Sequence, residues 1–170
     1  MRHATHYGEL MRRASFTDMN CSVAQTLEIV GEWWTLLIVR DALFGVTRFD
    51  DFSTRLGIAR NVLTQRLDTL VEHGVMAREP YQEKPVRYDY RLTEKGRDLW
   101  TVLAALRQWG DRWAIDSEPP IVTEHRACGH TMTVEPVCSA CGEHVTRSDL
   151  RVLPGPGADE HSPRPMAQSQ

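Results

Sequence analysis

Apolar positions recur along the chain with two periods, and the change of period orders its elements. Val23, Ala24, Leu27 and Val30 fall at helical spacing behind Asn20, a residue able to cap, so a helix is predicted over about 21–30 with Gly31 closing it. A second helix, about 33–44, is apolar almost all round, the pattern of a central buried helix, and ends at Gly45. Thr47 is placed to cap a short third helix, 48–56, whose Phe49, Phe52 and Leu56 lie at i, i+3 and i+7. Gly57-Ile58-Ala59 then turns the chain into a fourth helix, about 60–73, ended by Gly74. Two short helices joined by a glycine-containing turn are a helix-turn-helix candidate.

The period then drops to two. Val75-Met76-Ala77-Arg78 starts a strand, Tyr81-Gln82-Glu83-Lys84-Pro85 reads as a polar loop, and Val86-Arg87-Tyr88-Asp89-Tyr90-Arg91-Leu92 alternates as a second strand. Thr93-Glu94-Lys95-Gly96 opens a long helix to about 115. Four helices, a hairpin and a helix form the order of a winged helix. The expected fold is mainly α (α+β): a winged helix-turn-helix with a two-stranded wing, a long C-terminal dimerisation helix and a small Cys/His ribbon. Its expected parts are an N-terminal arm (1–19), the DNA-binding and dimerisation domain (20–116), a zinc-ribbon-like extension (121–153) and a disordered Pro/Gly/Ser-rich tail (154–170).

Length and composition narrow the function. A chain of 170 residues with 41 % hydrophobic and 25 % charged content is that of a soluble globular protein. Its longest apolar run, 33–39, is far short of a membrane span of about 20 residues, and 1–13 show no secretory leader, so the expected compartment is the cytoplasm. The net charge of −3 hides a split: residues 55–97 carry 9 basic and 6 acidic side chains, and residues 98–170 carry 6 and 10. The basic surplus lies on the helix-turn-helix and hairpin, where an electrostatic footprint for nucleic acid belongs.

Cys21-Ser22-Val23-Ala24, Val30-Gly31-Glu32-Trp33-Trp34-Thr35-Leu36-Leu37-Ile38, Arg48-Phe49-Asp50-Asp51-Phe52, Leu63-Thr64-Gln65-Arg66-Leu67 and Tyr90-Arg91-Leu92-Thr93-Glu94-Lys95-Gly96 together closely resemble the HxlR-type transcriptional regulators, whose fold is similar to that of MarR proteins. The resemblance covers about 20–113 and implies a dimeric winged-helix DNA binder, not an enzyme. Ser22 stands where the family usually has proline, and Ala59-Arg60-Asn61 departs from its usual opening of the recognition helix.

With Leu63, Leu67 and Leu70 turned to the core, the opposite face of the fourth helix carries Asn61, Gln65 and Asp68, with Thr64 beside them and Arg60 and Arg66 flanking. Arg pairs with guanine O6/N7, and Asn or Gln with adenine N6/N7, from the N-terminal turns of such a helix. Arg60, Asn61, Thr64, Gln65 and Arg66 are therefore the candidate DNA contacts on this helix, with Lys84 and Arg87 on the wing. A solvated polar face is the alternative. In the last helix Leu99, Trp100, Leu103, Leu106, Trp109 and Trp113 exceed what one packing stripe needs and suggest a homodimer interface, or burial under the extension.

His125-Arg126-Ala127-Cys128-Gly129 and Cys138-Ser139-Ala140-Cys141-Gly142 share one pattern, ligand-x-x-Cys-Gly. Two such knuckles would hold a structural zinc ion through His125, Cys128, Cys138 and Cys141, a closed tetrahedral set, with His130 and His144 as spare imidazoles. A ribbon that has lost its metal is the alternative. Cys21, at a helix start, is either a small buried hydrophobe or, as the resemblance implies, a sensor of oxidants or electrophiles. The expected function is a sequence-specific regulator binding double-stranded DNA as a homodimer on an inverted repeat, answering to an oxidant, an electrophile or a small ligand. A metal-sensing repressor using the Cys/His segment is the second reading. A thiol or zinc enzyme is the third, disfavoured because the pair lies in no βαβ pattern.

Overall fold

The computed structural model describes residues 15–164; residues 1–14 of the expected arm and 165–170 of the expected tail lie outside the described residues. Helices α1 (Ser22–Val30), α2 (Trp33–Leu43), α3 (Phe49–Leu56) and α4 (Arg60–Glu72) precede strands β1 (Met76–Glu83) and β2 (Val86–Leu92), and α5 (Glu94–Trp113) follows. The extension adds the two-residue strands β3 (Glu124–His125) and β4 (His130–Thr131) and a 3-10 turn at Arg147–Asp149. This is the expected winged-helix order. The antiparallel wing pairs Met76 with Leu92 and Glu83 with Val86.

The core sits where the five helices meet the root of the wing. Leu63, Leu67 and Leu70 of α4 are fully buried against Ile38 and Val39 of α2, Phe52 of α3, and Val75 and Met76 entering β1. Each such side chain contributes about 1.5–3 kcal/mol by leaving water. Because i, i+4 and i+7 face inward, the opposite side of α4 is left outside. A buried carboxylate, Asp41 of α2, ties α2 to α3: Arg40 Nε donates to Oδ1 at 2.9 Å, and Arg55 Nε of α3 reaches Oδ2 at 3.3 Å.

The start of α5 is locked to the domain. Thr93 caps it, its Oγ1 accepting from Gly96 N at 3.2 Å and donating to Gly74 O at 2.7 Å. Gly96 is buried, and a Cβ there would overlap the Val75 carbonyl oxygen and come within 2.9 Å of the Leu92 side chain.

Several local expectations are corrected. Asn20 does not cap α1; Cys21 is the N-cap residue, and Asn20 Nδ2 donates to Gly157 O at 2.8 Å. Thr47 does not cap α3; Arg48 holds that position and the Thr47 hydroxyl reaches Asp89 Oδ1 at 3.2 Å. In both cases the side chain donates to a distant acceptor instead of accepting from the backbone N–H groups of the first turn. The second helix is not buried all round: Trp33 is 85 % exposed while Thr35, two residues on, is buried, so one side of the first turn faces outward. Tyr81, Gln82 and Glu83 belong to β1 rather than a loop, and the turn shrinks to Lys84-Pro85, because pairing continues past a one-residue register shift between Pro80 and Gln82. Residues 154–164 of the tail lie against the start of α1, held there by Asn20.

Candidate nucleic-acid interface

The outer face of α4 carries Arg60, Asn61, Thr64, Gln65 and Asp68, all exposed. The Thr64 hydroxyl donates back to Arg60 O at 2.9 Å, so toward a ligand it offers only its acceptor side. Arg60 is already oriented: its guanidinium lies 4.7 Å above the Phe49 ring, and Nη1 donates to Asp50 Oδ1 at 2.7 Å. The hydrogen bond from Arg60 holds the Asp50 carboxyl below the usual carboxylate range, with Arg60 and Arg87 charges adding to the effect.

The wing is fastened to the same end of the domain. Tyr90 N donates to Thr47 O at 2.7 Å, and Arg48 pairs with Asp89 at 3.8 Å. Lys84 and Arg87 are exposed at its tip. Between the wing and the starts of α3 and α4 opens a cleft of about 400 Å³ whose lining includes Arg48, Arg60 and Arg87, Tyr81 and Tyr88, and the carboxylates Asp50 and Asp51. Arg48 stacks on Tyr81 at 4.7 Å and Arg78 on Tyr88 at 5.1 Å. Arg48 is a cation the sequence reading missed, since its place on the cleft depends on a pairing with the wing 41 positions away.

Arg66 is corrected. Its side chain is 20 % exposed and turns to Glu32 Oε2 at 3.5 Å, at the start of α2, so it braces two helices and does not share the outer face. Arg55 is likewise occupied by Asp41.

The HxlR-like helix-turn-helix family model matches residues 29–118. The uncharacterised HTH-type transcriptional regulator Rv3095 of Mycobacterium tuberculosis is 47 % identical over 137 residues, covering 80 % of this chain and 87 % of that protein. The chain belongs to the HxlR-like helix-turn-helix family. Among solved structures, PA1607, described as a candidate transcription factor, is 39 % identical with a TM-score of 0.73, covering 82 % of this chain and 99 % of its own. The oxidised form of the redox regulator HypR is 31 % identical with a TM-score of 0.50, over 54 % of this chain and 96 % of its own. As an HxlR-type protein the chain is a transcriptional regulator and not an enzyme. No helix among the described residues is long and apolar enough to cross a membrane.

The expected interface residues of this HxlR-type chain divide among three sides of α5. Leu99 and Leu103 are half-buried and pack on the core of their own domain. Val102, Leu106, Trp109 and Trp113, at i, i+4, i+7 and i+11, form an exposed stripe whose Leu106 also borders the hollow beside α2, and the two tryptophans are 62 % and 64 % exposed. Trp100 lies on a third side, facing α2 and residues 120–123.

Cys21 is half-buried, at a hollow between residues 20–23 and the 152–164 segment. The two expected knuckles have one shape. Gly129 N bonds to His125 O at 2.8 Å and Gly142 N to Cys138 O at 2.8 Å, with φ of 71° and 75° at the two glycines. Only such left-handed backbone folds the chain tightly behind the sulfur, and glycine takes it without a Cβ penalty. His125 Nδ1 lies 3.3 Å from Cys128 Sγ. The amides of Cys141 and Ala140, with the Cys141 thiol, hold the Cys138 thiol below its ordinary value. Each pair is brought together, but among the described residues no three His, Cys, Asp or Glu side chains are grouped to hold one ion. The spare imidazoles are engaged elsewhere: His144 with Glu135 at 3.0 Å, and His130 Nδ1 with Cys128 O at 2.9 Å.

Proposed function

We propose that this chain is a sequence-specific regulator that binds an inverted-repeat operator in double-stranded DNA as a homodimer. The observation that carries the reading is the shared cleft: Arg60, at the exposed start of α4, and Arg87, at the wing tip, line one groove. Base readout belongs to Arg60, Asn61 and Gln65; Thr64 offers an acceptor; Lys84 and Arg87 take the minor groove or phosphates. The exposed α5 stripe supports the dimer. On the best operator, Asn61→Ala and Gln65→Ala are each expected to cost about 2 kcal/mol and much less on random DNA. Arg87→Ala is expected to weaken both alike and flatten the salt slope by about one unit. Binding titrations at several salt concentrations separate the two classes. Equal losses on operator and random DNA for the α4 variants would overturn this role of the helix.

In the same reading the extension takes a structural zinc ion, when the His125–Cys128 and Cys138–Cys141 pairs close on each other. Two observations support it: both knuckles are formed, and no residue from 114 to 164 is buried, so apolar packing does not hold this segment. Protein purified without chelator is expected to carry about one zinc per chain, and Cys138→Ser to abolish it without melting the winged helix. Absence of metal with all three thiols freely reactive would overturn it.

Cys21 is proposed as the oxidant-responsive thiol, supported by its place at the start of α1 and by the likeness to HypR. Cys21→Ser is expected to keep operator affinity and lose the response to diamide. An unchanged response would leave the residue as packing.

A further inference from the structure

A second cavity, of about 540 Å³, opens between α2, α5 and residues 120–123 and shares no lining residue with the wing cleft. That is within the range of about 300–1,000 Å³ typical of small-molecule sites. Leu37, Phe44, Trp100, Leu103 and Ile121 make its apolar walls. The charged residues lining it are two arginines, Arg40 and Arg107, and no carboxylate lines it. Arg107 Nη1 donates to Ile121 O at 2.6 Å, which tethers the 120–123 segment to α5 at the cavity wall. A guanidinium has five N–H donors, so both arginines retain donors for an anion.

We propose that this cavity binds an apolar carboxylate, an aromatic acid of roughly 10–15 non-hydrogen atoms, and that binding lowers operator affinity. The ring system lies against Trp100 and Leu103, and the carboxylate between Arg40 and Arg107. Arg40 is also the partner of buried Asp41, whose other oxygen holds Arg55 of α3. A carboxylate that draws on Arg40 competes for the cation neutralising Asp41, and so changes the tether between α2 and the first helix of the helix-turn-helix. Linkage then requires ligand and operator to weaken each other by the same factor. The regulatory half of the proposal rests on the DNA-binding reading above.

The experiment uses the full chain with naphthalene-2-carboxylate as probe and naphthalene-2-methanol as its neutral counterpart. Calorimetry is expected to show one carboxylate per chain and at least about tenfold weaker binding of the alcohol. Ala104→Phe, which fills the cavity from α5, is expected to lose the carboxylate. Arg107→Leu is expected to bind acid and alcohol alike. Should Ala104→Phe fail to fold, the charge selectivity lost in Arg107→Leu still decides the matter. The acid is expected to weaken operator binding about fivefold in the parent chain and not in Ala104→Phe, and operator to weaken acid binding by the same factor. Acid and alcohol binding equally to the parent chain, no binding up to millimolar concentration, or undiminished binding to folded Ala104→Phe would overturn the site. Binding without any effect on operator affinity would overturn the relay. A chain that binds the acid but shows no DNA binding at all would overturn the DNA reading and the regulatory half, and leave the cavity assignment standing.

Discussion

Gly96→Ala is expected to lower stability by about 3 kcal/mol, although alanine is the better helix former by about 1 kcal/mol. Gly96 lies in the first turns of α5, where the helix crosses directly over the Val75 carbonyl and the Leu92 side chain. The added Cβ meets backbone, which cannot rotate aside as a side chain can. Relief requires α5 to lift, and the same carbonyl and that of Gly74 are the acceptors of the Thr93 capping hydroxyl, so the cap is strained with it. Gly110, in the same helix, meets nothing within 4 Å, and Gly110→Ala is expected to stabilise by roughly 0.5–1 kcal/mol. Denaturant melts of both variants check the contrast. An undiminished midpoint for Gly96→Ala would show that α5 does not pack this closely on the wing root.

The double variant Trp109→Asp, Trp113→Asp is expected to convert the proposed dimer into a folded monomer. Both indoles project from the exposed stripe of α5, so their replacement removes no packing from the chain's own core. In a two-fold contact each substitution acts twice, and a buried indole covers about 150–250 Å². At roughly 25 cal/mol per Å², losing only part of that area from four side chains exceeds about 4 kcal/mol, a thousandfold weaker association, before repulsion between the new carboxylates. Sedimentation reads the mass. Operator affinity is expected to fall steeply on DNA with two half-sites and little on a single half-site. A variant that stays dimeric would place the interface elsewhere.

The sequence by itself determined the order of elements, because the shift from helical spacing to alternation is a local property that packing did not override. It also determined which side of α4 is outside: Leu63, Leu67 and Leu70 demand burial together, and the polar residues opposite follow from the helix pitch. The opening of α5 at Thr93-Glu94-Lys95-Gly96 was legible for the same reason, and the structure adds the Thr93 cap on Gly96 N three residues on. Tertiary structure alone decided what each polar side chain does with a choice of partners. Asn20 and Thr47 are good caps by type, yet each found an acceptor 137 or 42 positions away. Arg60 and Arg66 look alike on a helical projection. Packing put Glu32 against one and Asp50 with Phe49 against the other, and so withdrew Arg66 from the outer face while holding Arg60 on it. The apolar surplus of α5 was visible as composition, but its division into a core stripe, a cavity wall and an exposed stripe required the positions of α2 and residues 120–123. Periodicity is carried by neighbours along the chain, whereas partner choice is settled by whichever group the fold delivers to within hydrogen-bonding reach.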